Sequence, residues 1–185
     1  MAEAARREDW PRTVAEFEEW HRHQPERWEF IRGEPRMMAP SSMPTRSSSE
    51  TSFAPWIVRS EAVHARRSDG PQILTDEISA IPDDVVTCTA LDLSTPVIAE
   101  PVIMVEVMSP GSEADDTGRN WLAYRKIPSL RHYLVLAQDR RLVHIHSRAG
   151  DIWRERFVSE AAVQLDDPSV RLEVDALYVA TDLAA

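Results

Sequence analysis

A chain of 185 residues, 43% hydrophobic and 28% charged, has the length of one domain and enough apolar surface for a substantial core. Its formal net charge of −10 at pH 7 argues against broad, sequence-independent attraction to nucleic acid and leaves room only for a local basic groove. A single cysteine, Cys88, excludes an internal disulfide and a multi-cysteine zinc site; with no segment near the ~20 apolar residues of a membrane span and no signal-peptide core in MAEAARREDW, a cytoplasmic protein without a membrane partner is expected.

Thr13 and Glu16 form a capping box, and Val14, Phe17 and Trp20 share one face, which predicts a short helix over about 13–22. Trp28–Ile31 and Pro35–Met38 flank Arg32-Gly33-Glu34, the pattern of a hairpin turning at Gly33. The Ser- and Pro-rich run 39–52 reads as a loop. Ser49 or Thr51 then caps a helix that buries Phe53, Trp56, Ile57, Ala62 and Val63 and ends at Ser68-Asp69-Gly70-Pro71. Short strands follow at about 72–76, 84–88 and 102–108, and a helix runs from Asp115-Asp116-Thr117 to about 126, closed by Pro128. His132–Leu136, Leu142–His146 and Trp153–Val158 form a β-meander with turns at Gln138-Asp139 and Ala149-Gly150-Asp151, before a strand near 170–174 and a helix near 175–183. This order predicts a single α/β domain over 1–185, a mixed sheet flanked by helices with a C-terminal β-meander.

Chemistry concentrates at Glu106, the one charge in the apolar run Val102–Met108. A strand apolar on both alternating faces is covered on both sides, and a carboxylate there needs a compensating cation or strong donors. Either a core arginine or a metal meets that need, and the position near the strand's C-terminal end, before Ser109-Pro110-Gly111, favours a ligand site. A second acidic signal is Pro82-Asp83-Asp84 at the start of the preceding strand. Adjacent strand residues point to opposite faces, so only one of the two acids can share a site with Glu106. Two carboxylates from neighbouring strands suit Mg²⁺, and Asp83 is the candidate partner.

Trp28–Glu34, Met38-Ala39-Pro40, Pro82-Asp83, Val105–Pro110, Asp116 through Tyr124 and Arg131–Val135, in this order and spacing, resemble a bacterial restriction-endonuclease family expanded in cyanobacteria, within the PD-(D/E)XK nuclease superfamily. The resemblance runs from Thr13 to Leu183. It implies a restriction-endonuclease-like fold and a phosphodiesterase site in which Asp83 and Glu106 hold Mg²⁺ or Mn²⁺ and Glu29 extends the ligand set or activates water. It further implies nucleic acid, DNA above all, as substrate. Homodimerisation is expected because two symmetry-related sites cut both strands of a duplex most simply, with Trp153 and Phe157 as apolar contact points.

The departures from the family pattern lie around its lysine. Two residues after the glutamate stands Met108, and the helix-borne lysine position, between Asp116 and Tyr124, falls on Asn120. Asp116, Asn120 and Tyr124 make an i, i+4, i+8 stripe that turns Asn120 toward the site, where it can orient water or phosphate by hydrogen bonds but carry no charge. Arg119 lies about 100° around the helix. Lys126, the only lysine, suits the helix C-terminus. Thr45 replaces a histidine frequent in relatives. His144 and His146 share a strand face at chelating spacing, but with no acidic or third histidine partner close in sequence they read as a partly exposed hairpin pair, and His21 and His23 suit the end of the first helix. Two functional readings stand: a metal-dependent endonuclease weakened by loss of the lysine, or a catalytically degenerate nuclease-fold module for binding or assembly.

Overall fold

Thr13 opens helix α1 (Val14–Trp20) as its spacing predicts: its hydroxyl accepts from the Glu16 amide at 3.2 Å. The Glu16 carboxylate reaches back one residue further than a capping box requires, accepting from the Arg12 amide at 2.7 Å. The computed structural model describes residues 9–38, 64–67, 71–92, 94–108 and 115–178. After α1 and a short 3₁₀ turn at His21–His23 comes the hairpin β1 (Trp28–Ile31) and β2 (Glu34–Met37). Its turn residues Arg32 and Gly33 have φ of 55° and 82°, the pair of positive values that a tight hairpin matched to strand twist demands.

The remaining strands are β3 (His64–Arg67), β4 (Ile73–Leu74), β5 (Ile78–Ala80), β6 (Asp84–Thr87), β7 (Pro101–Met108), β8 (His132–Ala137), β9 (Val143–Ala149), β10 (Ile152–Val158), β11 (Ala162–Leu165) and β12 (Val170–Glu173). A wide π-helical turn, Asp115–Asn120, leads into helix α2 (Trp121–Tyr124), and α3 (Val174–Tyr178) follows β12. Six strands form the central sheet in the order β10-β9-β8-β7-β6-β3, four form a smaller sheet β2-β1-β5-β4, and β11 and β12 pair alone. Only β7 and β8 are parallel within the central sheet, joined through the α2 crossover, so the sheet is mixed. The expected meander is β8, β9 and β10, which pair in sequence and carry the central sheet to its edge.

The sheet is covered on both faces. Met104, Val85, Tyr133 and Val135 pack under Trp121 and Tyr124 of α2 together with Ile31, Ile73 and Ile78 from the smaller sheet. On the other face Ile103, Val105, Leu134 and Ile145 meet the β11–β12 pair and Leu177 and Tyr178 of α3. A third cluster seats Phe17 of α1 on Phe30 of β1.

Two expectations change. Residues 64–67 belong to β3, paired antiparallel with β6, where the reading of a helix ending at Ser68 put helix. The buried positions proposed for that helix, and Thr45, lie outside the described residues. The helix expected to run to about 126 ends at Tyr124, and its first part is the wider π turn. Of the expected stripe, Asn120 and Tyr124 lie one turn apart and both are buried.

Candidate metal-binding carboxylate site

The pairing register decides which acids meet. Asp84 lies opposite Val105 and Val85 opposite Met104, so Asp84 is carried with Val105 to the α3 face, while Asp83 and Glu106 share the α2 face with Val85 and Met104. Asp84 is buried there, its Oδ1 accepting from the Val85 amide at 2.8 Å. Only Asp83 is left to join Glu106.

Glu106 stands near enough to Asp83 to act on its pKa. The backbone fixes the pair, because the Val107 amide, next to Glu106 in β7, donates to Asp83 Oδ2 at 2.7 Å. Asp83 is solvent-exposed, and its pKa is raised, with desolvation of the carboxyl the largest cause. The Val107 amide, Glu106 and the charge of Arg27 act the other way. Glu106 is half-buried rather than enclosed on both sides, since Glu106 and Val107 at the end of β7 reach the sheet's margin. The compensating donor is Tyr124, whose hydroxyl donates to Glu106 Oε1 at 3.2 Å. Burial, with Glu106 and Glu29 nearby, pushes the Tyr124 phenol well above its ordinary range, so it remains a donor at all physiological pH.

Glu29 backs the site from the smaller sheet. Its Oε1 accepts from the Ile81 amide at 2.8 Å, tethering the segment that leads through Pro82 to Asp83, and its charge reaches Tyr124. Asn120 is 4% exposed and sits one turn before Tyr124. The two nearby cations of the helix go elsewhere: Arg119 pairs with Glu34 of β2, and Lys126 meets Glu77 at 2.6 Å. For Lys126 the helix C-terminus is thus not the partner. Tyr124 touches Glu106 directly, the Val107 amide holds Asp83 beside them, Glu29 stands behind, and Arg27 is the charge the sequence reading passed over. Nothing local marks Arg27, which precedes β1 and comes to Asp83 only through the fold.

A second cluster lies further out on the same face. His144 and His146 do have an acidic partner: the antiparallel register sets Glu155 opposite His146. Ligand atoms of His144, His146 and Glu155 all fall within 4.8 Å of one another, a candidate metal-coordinating group. Among the described residues no helix is long and apolar enough to cross a membrane.

The family described as "Uma2: Putative restriction endonuclease" matches residues 14–179. An uncharacterized protein of Synechocystis sp. (strain PCC 6803), slr1290, is 29% identical over 110 residues, 58% of this chain and 58% of that relative, so this chain spans less than two thirds of it. A solved structure described as "a putative nuclease belonging to DUF820", from Anabaena variabilis ATCC 29413, superposes with a TM-score of 0.62 at 13% identity, covering 91% of this chain and 98% of that one. At that identity the likeness is one of fold.

Proposed function

Because the chain belongs to the Uma2 family of restriction-endonuclease-like proteins, we propose that it is a Mg²⁺- or Mn²⁺-dependent endonuclease acting on nucleic acid, DNA in the first place, with Asp83 and Glu106 as the metal ligands. The observation that carries this reading is the Val107 amide donating to Asp83 Oδ2 at 2.7 Å, which holds that carboxyl on the same sheet face as Glu106. Neighbouring carboxyls are costly to ionise together, and a cation beside them offsets that cost. An all-oxygen pair at an open margin, with room for water and phosphate oxygens, fits a hard divalent cation. When bound, the ion supplies Lewis acidity at a phosphoryl oxygen and lowers the pKa of water.

The chain's own residues would do the rest. Tyr124 holds Glu106 Oε1 by its hydroxyl and so fixes which carboxylate oxygen turns outward. The Val107 amide does the same for Asp83. Glu29 sets the approach of the Ile81-Pro82-Asp83 segment. Arg27, whose charge acts on Asp83, would supply a guanidinium for a phosphate. Asn120, in place of a lysine, offers hydrogen bonds alone. A catalytically degenerate binding module is the second reading, and that neutral Asn120 is the observation that favours it.

The raised Asp83 pKa gives a test with a definite sign. A carboxyl whose folded pKa lies above its unfolded value contributes stability below the unfolded value, and that stability is lost as pH rises through the folded pKa. Without metal the fold should therefore lose stability as pH climbs from about 4, and Mn²⁺ should restore it increasingly toward neutrality. Asp83→Asn removes the titration, so the metal-free variant should melt at or above wild type at pH 7 and show no Mn²⁺ stabilisation. Melting curves at pH 4 and pH 7, with and without Mn²⁺, read this. Equal Mn²⁺ stabilisation of wild type and Asp83→Asn would remove Asp83 from the site.

Homodimerisation belongs to the same proposal, with a changed contact surface. Trp153 is half-buried, with the Arg148 guanidinium 4.5 Å over its ring and its edge against Trp121. Phe157 and Ile152, on the edge strand β10, are 64% and 59% exposed. Sedimentation at micromolar concentration should show a dimer that Phe157→Asp weakens; monomer alone in the wild type overturns this part.

A further inference from the structure

We infer that the outer hairpin of the central sheet carries a second metal site, in which His144, His146 and Glu155 bind Zn²⁺ or a similar transition ion. The register that sets His146 opposite Glu155 also sets His144 opposite Phe157, so the two imidazoles and the carboxylate leave the same face of neighbouring strands. Glu155 Oε2 lies 3.3 Å from His144 Nε2, and Glu155 Oε1 lies 3.7 Å from His146 Nδ1. Tetrahedral coordination with metal–ligand bonds of ~2.0–2.1 Å places ligand atoms roughly 3.3–3.4 Å apart, so small side-chain adjustments close the set. Two imidazole nitrogens and one carboxylate oxygen, with a fourth position open, make a borderline donor set unlike the all-oxygen pair at Asp83 and Glu106.

An ion pair on an exposed hairpin does not account for His146. Its side chain is 2% exposed, and among the described residues neither ring nitrogen has a hydrogen-bond partner. A buried imidazole so placed is costly unless something meets its nitrogen. Both rings are held by stacking: Trp121 lies on His146 at 4.0 Å and 21°, Phe157 on His144 at 4.1 Å and 18°. Ring faces are thereby occupied and the nitrogen edges turn toward Glu155.

The placement ties this site to the first. Glu106, Val135 and His144 are successive partners across β7, β8 and β9, so the two sites share a face about 10 Å apart, two strand spacings. Trp121 stacks on His146 and is the first residue of α2, directly after Asn120 and three before Tyr124. An ion at His146 would hold that ring and so steady the helix that carries both residues.

The test uses the chelator-stripped full chain and Co²⁺ alone as the probe. One Co²⁺ per chain should bind with the intense visible spectrum of a tetrahedral ion, quench tryptophan fluorescence through Trp121, and be displaced by Zn²⁺. Glu106→Ala should leave the spectrum intact, which separates this site from the carboxylate pair. His144→Gln and Glu155→Gln, chosen because buried His146 is a risk to folding, should each weaken Co²⁺ at least tenfold with unchanged circular dichroism. Co²⁺ binding equal in wild type and both variants, or a Co²⁺ spectrum lost in Glu106→Ala, would overturn the assignment.

Discussion

Glu106→Gln should abolish Mn²⁺ binding at the carboxylate pair and lower metal-dependent cleavage by ~10²–10³-fold or more, while leaving the protein folded. Glutamine keeps the carbonyl oxygen that accepts the Tyr124 hydroxyl, so the 3.2 Å contact can persist and the buried phenol keeps a partner. What changes is charge. Glu106→Ala removes the acceptor as well, and a buried donor left unmet costs about 1–3 kcal/mol, which should appear as a lower melting temperature. The pair of variants therefore divides stability from metal chemistry: both lose Mn²⁺ and cleavage, and only the alanine loses substantial stability. Calorimetric Mn²⁺ titration and cleavage of single-stranded, duplex and structured substrates provide the readouts. Wild-type Mn²⁺ affinity in folded Glu106→Gln would move the catalytic metal away from this pair, and the readings of Asp83 and Tyr124 would go with it.

What could be read before the structure follows from how local each signal is. Thr13, the Gly33 turn and the strand-like runs and turns along 132–158 are local features, and they became α1, the β1–β2 hairpin and β8 to β10. Glu106 stood out for the same reason, a charge in an apolar run that needs compensation wherever the chain goes. β3 was missed because His64–Arg67 has neither β-branched residues nor alternation, and pairing with β6 alone makes it a strand. β5, three residues long, was too short to announce itself. The partners within the sites were less legible still. Glu155 meets His146 because the short turn at Gly150, with φ of 64°, sets the β9–β10 register; a slip by one residue would send Glu155 to the other face. Tyr124 and Arg27 reach Glu106 and Asp83 through crossings of sheet and helix that no local spacing encodes.

Asn120→Lys should convert weak or absent Mg²⁺-dependent cleavage into measurable cleavage, by ~10²–10⁴-fold, the range a positioned acid–base or electrostatic group contributes. The position is suited to the gain, since residue 120 is 4% exposed, one turn before the tyrosine that holds Glu106, so a lysine there enters the protein rather than the solvent. Two forces then set its charge. Burial favours the neutral amine, while the Asp83 and Glu106 carboxylates favour the ammonium, and a metal between them weakens the second. A lysine thus balanced can serve as base or as clamp. The cost is real, because a longer side chain enters a filled site, and overpacking destabilises by ~1–3 kcal/mol. Melting curves must accompany the assay. Asn120→Ala should leave cleavage unchanged or lower, and Asn120→Lys combined with Glu106→Gln should show no gain, because the lysine acts only beside an intact carboxylate pair. A folded, Mn²⁺-binding Asn120→Lys that still cuts nothing would mean that the missing lysine is not the decisive defect, and the binding-module reading would take first place.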